Sequence, residues 1–419
     1  MKWASKIKKY FPKSQTLFLI TVALIPVQLN KYFFIKQSLV LGIPIDYLAI
    51  SVYLIDLSLI ALAILFFLEN SKFLWAFYKK YKVFINTLFI FNIYLILSTI
   101  SSSKEIVVPL FFNLKTVEFS LFCLIAIFYL SQKKVYKSFL KIIAFSLIWE
   151  SVLVILEFIL QRSVGLTLLG ERLFTTTTTS IAHINLLENQ LLRPYGTFPH
   201  PNVASAFFLI SLLFLLPFKK NLNPKSIRFI TVFLIILATI LTFSKTSIFL
   251  LALVFFILFI KKSKTLLLLI FIITVSIYTL FFAQNYIDSL AERLTLFGAS
   301  INVILKNPLF GIGSNNFIKA MSTQNIISVG FVRLLQPVHN VFLLIFAENG
   351  IFGLALFLII LFHTSKFVKT PVKLLLFVIV LTYLTVDHFL WTLEQGRMIF
   401  FLALAFIIGS QSRSSSWYI

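Results

Sequence analysis

Residues 341–363 read VFLLIFAENGIFGLALFLIILFH, an apolar run in which Glu348 is the only acid. A helix of about 20 residues crosses the hydrocarbon core of a bilayer, so this run is long enough to do so. Lipid offers no hydrogen-bond partner to the backbone, and a crossing segment therefore satisfies its own peptide groups as a helix. The stretch predicts a transmembrane helix.

The rest of the chain repeats this pattern. Of 419 residues, 59% are hydrophobic and 12% are charged, whereas a soluble domain carries about 25% charged residues. The composition excludes a soluble domain and predicts an all-α polytopic membrane protein, with residues 1–419 forming a single integral membrane domain. About twelve crossings are expected, near residues 15–29, 45–68, 82–100, 114–131, 138–160, 202–218, 227–243, 246–260, 264–283, 340–363, 372–391 and 397–410.

The charge distribution predicts the orientation. The formal net charge is +23, from 37 Lys and Arg against 14 Asp and Glu. With a cytoplasmic N-terminus and twelve crossings, the inside segments hold 24 of the 37 basic residues, in agreement with the positive-inside rule. We therefore expect both termini to be cytoplasmic. The inside lysines are explained by topology and by contact with anionic lipid, so the charge requires no nucleic acid.

Six arginines fall on the predicted exterior, against the orientation rule, and need another reason to be there. A guanidinium group binds phosphate or carboxylate through two parallel hydrogen bonds, which lysine cannot do. A salt bridge to a nearby glutamate is the alternative, notably for Arg172 beside Glu171 and for Arg397 near Glu394. The six are Arg162, Arg172, Arg193, Arg293, Arg333 and Arg397.

Two exterior segments, 161–201 and 284–339, are long enough to build a site, and we expect function to reside there. The first contains a threonine run, 175–179, typical of a flexible or extended loop. The second opens with an amphipathic helix at the membrane interface, ended by Asn307-Pro308. Its apolar positions are Ile287, Leu290, Ala291, Leu294, Phe297, Ile301 and Ile304.

The densest polar cluster is residues 193–202, RPYGTFPHPN, just before an apolar run. Its prolines and glycine forbid helix, so the segment is a shaped turn, with Pro201 suited to the first turn of the next helix. Arg193, His200 and Asn202 together favour a functional turn over a rigid connector. Lys245, in a short exterior turn between two apolar runs, is either an interfacial anchor or a ligand for an anion.

A second cluster, His339-Asn340, also precedes an apolar run. The positive end of a helix dipole favours neutral imidazole, the form that accepts a proton, although a capping or solvated histidine is the alternative. Glu348, nine residues further on, lies on the opposite helix face, so the two side chains should not touch. Five carboxylates within the predicted crossings are expected to link helices or to form a proton path: Asp56, Glu118, Glu150, Glu157 and Asp387.

Taken in order, these motifs resemble the O-antigen ligase and O-antigen polymerase superfamily of bacterial membrane glycosyltransferases. The resemblance runs over about residues 190–365, from the 193–202 turn through Thr242–Thr246, Arg293 and residues 307–313 (NPLFGIG) to His339-Asn340 and Glu348-Asn349-Gly350. It implies a GT-C-like fold in the bacterial plasma (inner) membrane, with an active cavity at the exterior face. Members usually carry arginine where Lys245 stands.

The resemblance also implies the reaction. A glycan would pass from undecaprenyl diphosphate to a hydroxyl of a glycan, lipid or protein acceptor, with inversion and with neither metal nor cofactor. Arg193, Lys245 and Arg293 would stabilise the leaving diphosphate, and His339 would orient or deprotonate the acceptor hydroxyl. Further substrate-binding candidates are Arg333, His200, Asn202 and Asn340. The competing interpretations are a flippase for lipid-linked glycans or another polytopic transporter, and a membrane scaffold.

Overall fold

The computed structural model describes residues 13–186, 189–216, 225–259, 286–323, 328–329 and 332–410. Thirteen α-helices lie within these ranges. They are α1 (Lys13–Ala23), α2 (Leu54–Ser102), α3 (Val107–Leu130), α4 (Lys133–Leu160), α5 (Pro201–Leu215), α6 (Lys225–Leu241), α7 (Lys245–Phe259), α8 (Tyr286–Lys306), α9 (Phe317–Thr323), α10 (Val341–Ser365), α11 (Pro371–Val386), α12 (Phe389–Thr392) and α13 (Glu394–Gly409).

Helices occupy the predicted crossings. Each predicted run overlaps a helix except 264–283, which lies outside the described residues. By length and composition, four helices in the described part of the chain can cross a bilayer, namely α2, α3, α4 and α10, while α5, α6, α7 and α11 are apolar but shorter. The chain is therefore a helical membrane protein. The number of crossings, about twelve, and the GT-C-like fold stay predictions.

One face of α2 shows how the bundle meets lipid. Leu57, Ile60, Ile64 and Leu68 follow one another at helical spacing, and all four side chains are more than half exposed. Exposing a continuous apolar stripe of this kind to water would cost free energy, whereas exposing it to hydrocarbon would not. The stripe supports burial of α2 in a membrane.

The helix α2 is bent back on itself at Tyr81, where the backbone leaves helical geometry (φ −117°, ψ 19°). Asp56 forms a salt bridge with Lys115, and Asn113 donates to Thr99 Oγ1 over 2.9 Å. Asp56 and Thr99 are thus both close to the first turns of α3, although a straight helix would hold them about 64 Å apart. The two arms correspond to the predicted crossings 45–68 and 82–100, joined by a helical bend instead of a loop.

Two helices form the centre of the bundle. All residues of α13 are buried, and in α5 only Asn202 is not. A helix that is apolar on every side can only be stable when other helices surround it. Phe214 of α5 stacks on Phe406 of α13, with ring centroids 4.5 Å apart, so these two helices carry the core that supports the site.

The loops contain antiparallel strand pairs that an all-α fold class does not include. β1 (Asn30–Phe33) pairs with β4 (Ile50–Tyr53) and encloses the short pair β2 (Leu39–Val40) and β3 (Ile43–Pro44). The predicted loop 161–201 contains β5 (His183–Leu186) and β6 (Asn189–Leu192), and the loop 284–339 contains β7 (Ser328–Val329) and β8 (Val332–Arg333) besides α8 and α9. These hairpins satisfy backbone groups where the chain leaves the bundle.

The predicted helix 287–304 is confirmed as α8, but its faces are arranged differently from the simple amphipathic picture. Leu290, Leu294 and Phe297, from the predicted apolar stripe, are exposed, whereas Leu296 and Val303 are buried against the bundle. The exposed apolar stripe is consistent with contact with the membrane interface.

The loop 307–313 (NPLFGIG) is hydrogen-bonded to α10 at residues 348–350 (ENG). At Gly350 the helix α10 is interrupted (φ 66°, ψ −172°), and the loop 307–313 supplies the missing hydrogen bonds. Gly313 N donates to Glu348 O over 2.7 Å, and Ile351 N donates to Pro308 O over 2.9 Å. The Glu348 carboxylate accepts from Phe317 N over 3.2 Å. Glu348 therefore anchors this loop, and Glu348 and His339 have different neighbours, as the sequence predicted.

The Gly350→Ala variant is expected to lose about 1–3 kcal/mol of stability, because essentially only glycine adopts this φ and ψ. A Cβ at Gly350 would also lie 2.1 Å from Leu309 O. Gly298→Ala is the matched control: no atom lies within 4 Å of a Cβ there, and alanine favours a helix interior. Thermal denaturation in detergent compares the two, and equal midpoints for both variants would contradict the role of Gly350.

Candidate active site

Two buried carboxylates of α4 hydrogen-bond to the 193–202 turn. Glu157 Oε2 accepts from Tyr195 N over 2.7 Å and from Gly196 N over 2.8 Å, and Glu150 accepts from the Thr197 hydroxyl. Gly196 has a positive φ of 60°, a conformation that glycine adopts without strain. Glu150 and Glu157 thus shape the turn, which explains two of the five carboxylates that the sequence placed inside the membrane.

The turn leads directly into α5. Pro201 occupies the first turn of the helix, as predicted, and His200 is the N-cap residue, with its Nδ1 accepting from Asn202 N over 3.1 Å. This bond fixes the ring of His200. Asn202 is left with its side-chain amide pointing towards the neighbouring loops.

Asn202 connects Arg193 to Asp387. The Arg193 guanidinium donates to Asn202 Oδ1 over 2.8 Å and to Thr242 O over 2.9 Å. Asn202 Nδ2 in turn donates to Asp387 Oδ2 over 3.1 Å. The start of α5, the turn before α7 and the end of α11 are thereby tied together by charged and amide groups.

Three cations gather beside this connection. Lys245 is the first residue of α7, and its ammonium group feels the charges of both Arg193 and Arg293. Arg293 reaches from α8 to donate to Val386 O over 3.1 Å. Like charges held close together raise the free energy of the free protein, and an anion bound between them lowers it. The cluster is therefore suited to bind a strongly anionic group such as a diphosphate.

A cluster of histidine and aspartate lies next to the cations. The side chains of His339, Asp387 and His388 each offer a nitrogen or oxygen atom within 4.8 Å of the others, and the His339 and His388 rings lie 4.9 Å apart. His388 N donates to Asp387 Oδ1 over 2.7 Å, and His388 Nδ1 bonds to the Thr392 hydroxyl over 2.7 Å. Within the described residues, buried His339 Nδ1 has no hydrogen-bond partner.

The protonation states follow from burial and charge. Burial lowers the pKa of His200 and of His388 to about 3. Burial also lowers the pKa of His339, Arg293 adds to this effect, and Asp387 opposes it. Burial opposes ionisation of Asp387, but the nearby histidines and Arg293 outweigh it and lower the pKa of this carboxyl. At neutral pH, His339 is therefore a neutral base beside an ionised aspartate, as its position before a helix predicted.

A cavity of about 460 Å³ opens onto this cluster. Its lining includes His200, Asn202, His339, Asp387 and His388. Arg193, Lys245 and Arg293 do not belong to the lining that the described residues form. Arg193 donates to the lining residue Asn202, and Arg293 donates to Val386 O, next to the lining residue Asp387.

The predicted site residues thus converge in part. Arg193, His200, Asn202, Lys245, Arg293 and His339 meet around Asp387. Asn340 is the N-cap of α10, accepting from Leu343 N over 2.9 Å, and donates to Thr385 O over 2.9 Å, so it clamps two helices. The side chain of Arg333 lies outside the described residues.

Among the described residues, two of the predicted exterior arginines, Arg172 and Arg397, form no salt bridge with the glutamates expected from the sequence. The Glu171 carboxylate accepts from the amides of Val164 over 2.6 Å and Gly165 over 2.8 Å, while Arg172 lines the cavity. Arg397 is buried inside the bundle, 4.2 Å from the ring centre of Phe112 and bonded to Thr116. Arg397 thus lies within the buried helix α13, which starts at Glu394, and its placement on the exterior side of the membrane stays a prediction.

Sequence reasoning missed Asp387 and His388 as site residues. It placed both within the predicted crossing 372–391, whereas α11 ends at Val386 and the two residues form the next turn. The available signal was the Asp-His pair itself, since two adjacent ionisable residues rarely interrupt an apolar run without a role.

The His339–Asp387–His388 cluster is the place in the described chain where a metal would be considered. Its chemistry favours proton transfer instead, because both Asp387 oxygens already accept hydrogen bonds and the Arg293 charge acts on all three groups. A nearby fixed cation disfavours binding of a second one. That the reaction needs no metal stays a prediction.

One of two comparisons with known proteins found a related family. A search among curated proteins found no match. Residues 230–358 match the family model described as O-antigen ligase, and this stretch contains Lys245, Arg293 and His339. The match confirms, over this stretch, the resemblance to the O-antigen ligase superfamily that the sequence motifs show.

Proposed function

We propose that this protein transfers a glycan from undecaprenyl diphosphate to an acceptor hydroxyl at the exterior face of the bacterial plasma membrane. The observation that carries the proposal is the cation cluster of Arg193, Lys245 and Arg293 next to Asp387 and the half-buried His339, whose pKa is lowered. An anion-binding cluster next to a base is what displacement of a diphosphate by a hydroxyl requires.

The steps follow from this arrangement. The acceptor oxygen forms a bond to the anomeric carbon of the donor as the bond from that carbon to the diphosphate oxygen breaks. The leaving diphosphate keeps the electron pair, and its developing charge is stabilised by the three cations more strongly than in the ground state. The hydroxyl proton passes to His339. Ionised Asp387 then stabilises the imidazolium, and the inverted configuration is expected because the acceptor attacks opposite the leaving group.

The proposal is tested with the purified full-length protein in detergent, incubated with undecaprenyl-diphosphate glycan and candidate acceptors in the presence of a chelator. Mass spectrometry follows the released lipid diphosphate and the size of the glycan. A ladder of multiples identifies a polymerase, and a single transfer to a separate acceptor identifies a ligase. Absence of product with every acceptor, together with donor translocation in liposomes, would overturn the proposal in favour of a transporter.

The rate of transfer is expected to depend on pH, and two variants should shift this dependence in opposite directions. The base form of His339 is lost as the pH falls through its pKa, so kcat/KM should decline on an acid limb that lies below the ordinary histidine pKa. Arg293→Gln removes a charge that lowers this pKa, and the acid limb should move to higher pH. Asp387→Asn removes a charge that raises it, and the limb should move to lower pH.

The position of the limb is read independently of the absolute rate, so slow variants remain informative. Shifts of both variants in the same direction would argue against His339 as the group that titrates.

A further inference from the structure

We propose that the 460 Å³ cavity is the binding site for the acceptor, and that the acceptor is a sugar held against a wall formed by the segment between α1 and α2. This inference rests on the proposed function and adds the chemical class of the acceptor. The wall, called here the β1–β4 wall, comprises Tyr32, Phe34, Asp46 and Tyr47.

The charges of the cavity lining make it a poorer site for the diphosphate than the cluster of three cations. The charged residues in its described lining are Asp46, Asp387 and Arg172, and its histidines are neutral at pH 7 because burial lowers their pKa. Two carboxylates against one guanidinium attract a diphosphate less than three clustered cations do. The diphosphate therefore belongs with Arg193, Lys245 and Arg293, and the cavity is left for the other substrate.

The chemistry of the lining suits a sugar. The β1–β4 wall presents aromatic rings, and Gln28, Asn30 and Gln336 add side-chain amides. Aromatic faces pack on the apolar face of a pyranose, while amides and carboxylates bond its hydroxyls, and a pocket of this volume lies within the usual range for small ligands. A hydrocarbon tail would cover these amides without offering them hydrogen bonds, at a cost in free energy.

The geometry places such a sugar against the base. The Tyr47 ring meets the His388 ring edge-on, with centroids 5.5 Å apart, and the His388 ring in turn meets the His339 ring edge-on. A sugar resting on Tyr47 therefore lies beside His339, which also lines the cavity. The acceptor hydroxyl faces the group that removes its proton.

The wall is held rigidly by the rest of the chain. Asn315 Nδ2 donates to Tyr47 O over 3.0 Å, and the hydroxyls of Tyr32 and Tyr53 bond over 3.1 Å. Asn315 belongs to the stretch matched by the family model, whereas the β1–β4 wall lies outside it. The family-matched part thus carries Lys245, Arg293 and His339. A separate segment contacts the acceptor, and specificity for the acceptor would be set there.

The test measures KM for acceptor and donor separately in full-length protein, with methyl glycosides of glucose, galactose and N-acetylglucosamine as acceptor probes. Tyr47→Leu and Asp46→Asn are expected to raise the acceptor KM about tenfold and to leave the donor KM unchanged. Asp46 is exposed, so its isosteric replacement should not disturb folding. Tyr78→Leu, at a partly exposed tyrosine near the α2 bend, is the matched control.

Binding of the same methyl glycosides, followed by saturation-transfer NMR in nanodiscs, separates this inference from the proposed function. Loss of binding in Tyr47→Leu supports the sugar site even if no transfer is found in any variant. Transfer with unchanged acceptor KM in both variants, a raised donor KM, or wild-type transfer to protein hydroxyls alone would each overturn the inference while leaving the proposed reaction in place.

Discussion

The His339→Ala variant is expected to lose glycan transfer by about 10²–10⁴-fold, the usual effect of removing a general base. His339 lines the cavity, its Nδ1 has no partner among the described residues, and its pKa is lowered by burial. In contrast to His339 Nδ1, His200 Nδ1 accepts the capping bond of α5 and His388 Nδ1 is bonded to Thr392.

The loss should appear in kcat, with donor binding unchanged, because the cations that hold the diphosphate do not depend on His339. Radiolabelled undecaprenyl-diphosphate glycan and a filter assay check donor binding directly. His363→Ala is the matched control, since His363 lies in the last turn of the same helix, away from the cavity. A His339→Ala enzyme within threefold of wild type in kcat, with His363→Ala also active, would rule out His339 as the base.

The sequence predicted most of the elements of this fold because bilayer thickness constrains each apolar run to a helix. It could not predict the bend of α2 at Tyr81, since residues 69–81 are polar enough to read as a loop and yet stay helical. Nor could it predict the β1–β4 hairpin. Short strands depend on pairing with distant residues, here Asn30 with Tyr53, and leave little local pattern.

The candidate site was predictable where its residues stand in loops with distinctive composition, as at 193–202 and 339–340. It was not predictable where a residue's role depends on its partner. Glu157 appeared to be a costly intramembrane charge, and only the fold shows that it accepts from the amides of Tyr195 and Gly196. Asp387 appeared to be a carboxylate within a crossing that links helices or forms a proton path, and the fold places it where Asn202 and His388 meet.

Lys115→Met is expected to destabilise the protein by about 3–5 kcal/mol, the usual cost of removing one partner from a buried ion cluster. Lys115 contacts the carboxylates of Asp56, Glu394 over 3.2 Å and Glu118 at 4.0 Å. It joins α2, α3 and α13 in this way. Methionine has a similar length but no charge, so the carboxylates would be left buried without their shared cation. Thermal denaturation in detergent measures the loss.

Lys373→Met is the matched control, because Lys373 is also a buried lysine but its amine donates to the Ser410 carbonyl over 3.1 Å instead of pairing with a carboxylate. A carbonyl left without this donor costs less free energy than a set of buried carboxylates left without their cation, so the loss of stability should be clearly smaller.

Adding Asp56→Asn to Lys115→Met removes one of the unpaired buried charges and should recover part of the stability. Equal losses for Lys115→Met and Lys373→Met would show that the cluster contributes no more than an ordinary buried amine. The Lys115 ammonium also lies 5.4 Å from the ring centre of Tyr53, which bonds Tyr32 of the β1–β4 wall, so the acceptor KM of the surviving Lys115→Met protein should rise more than its donor KM.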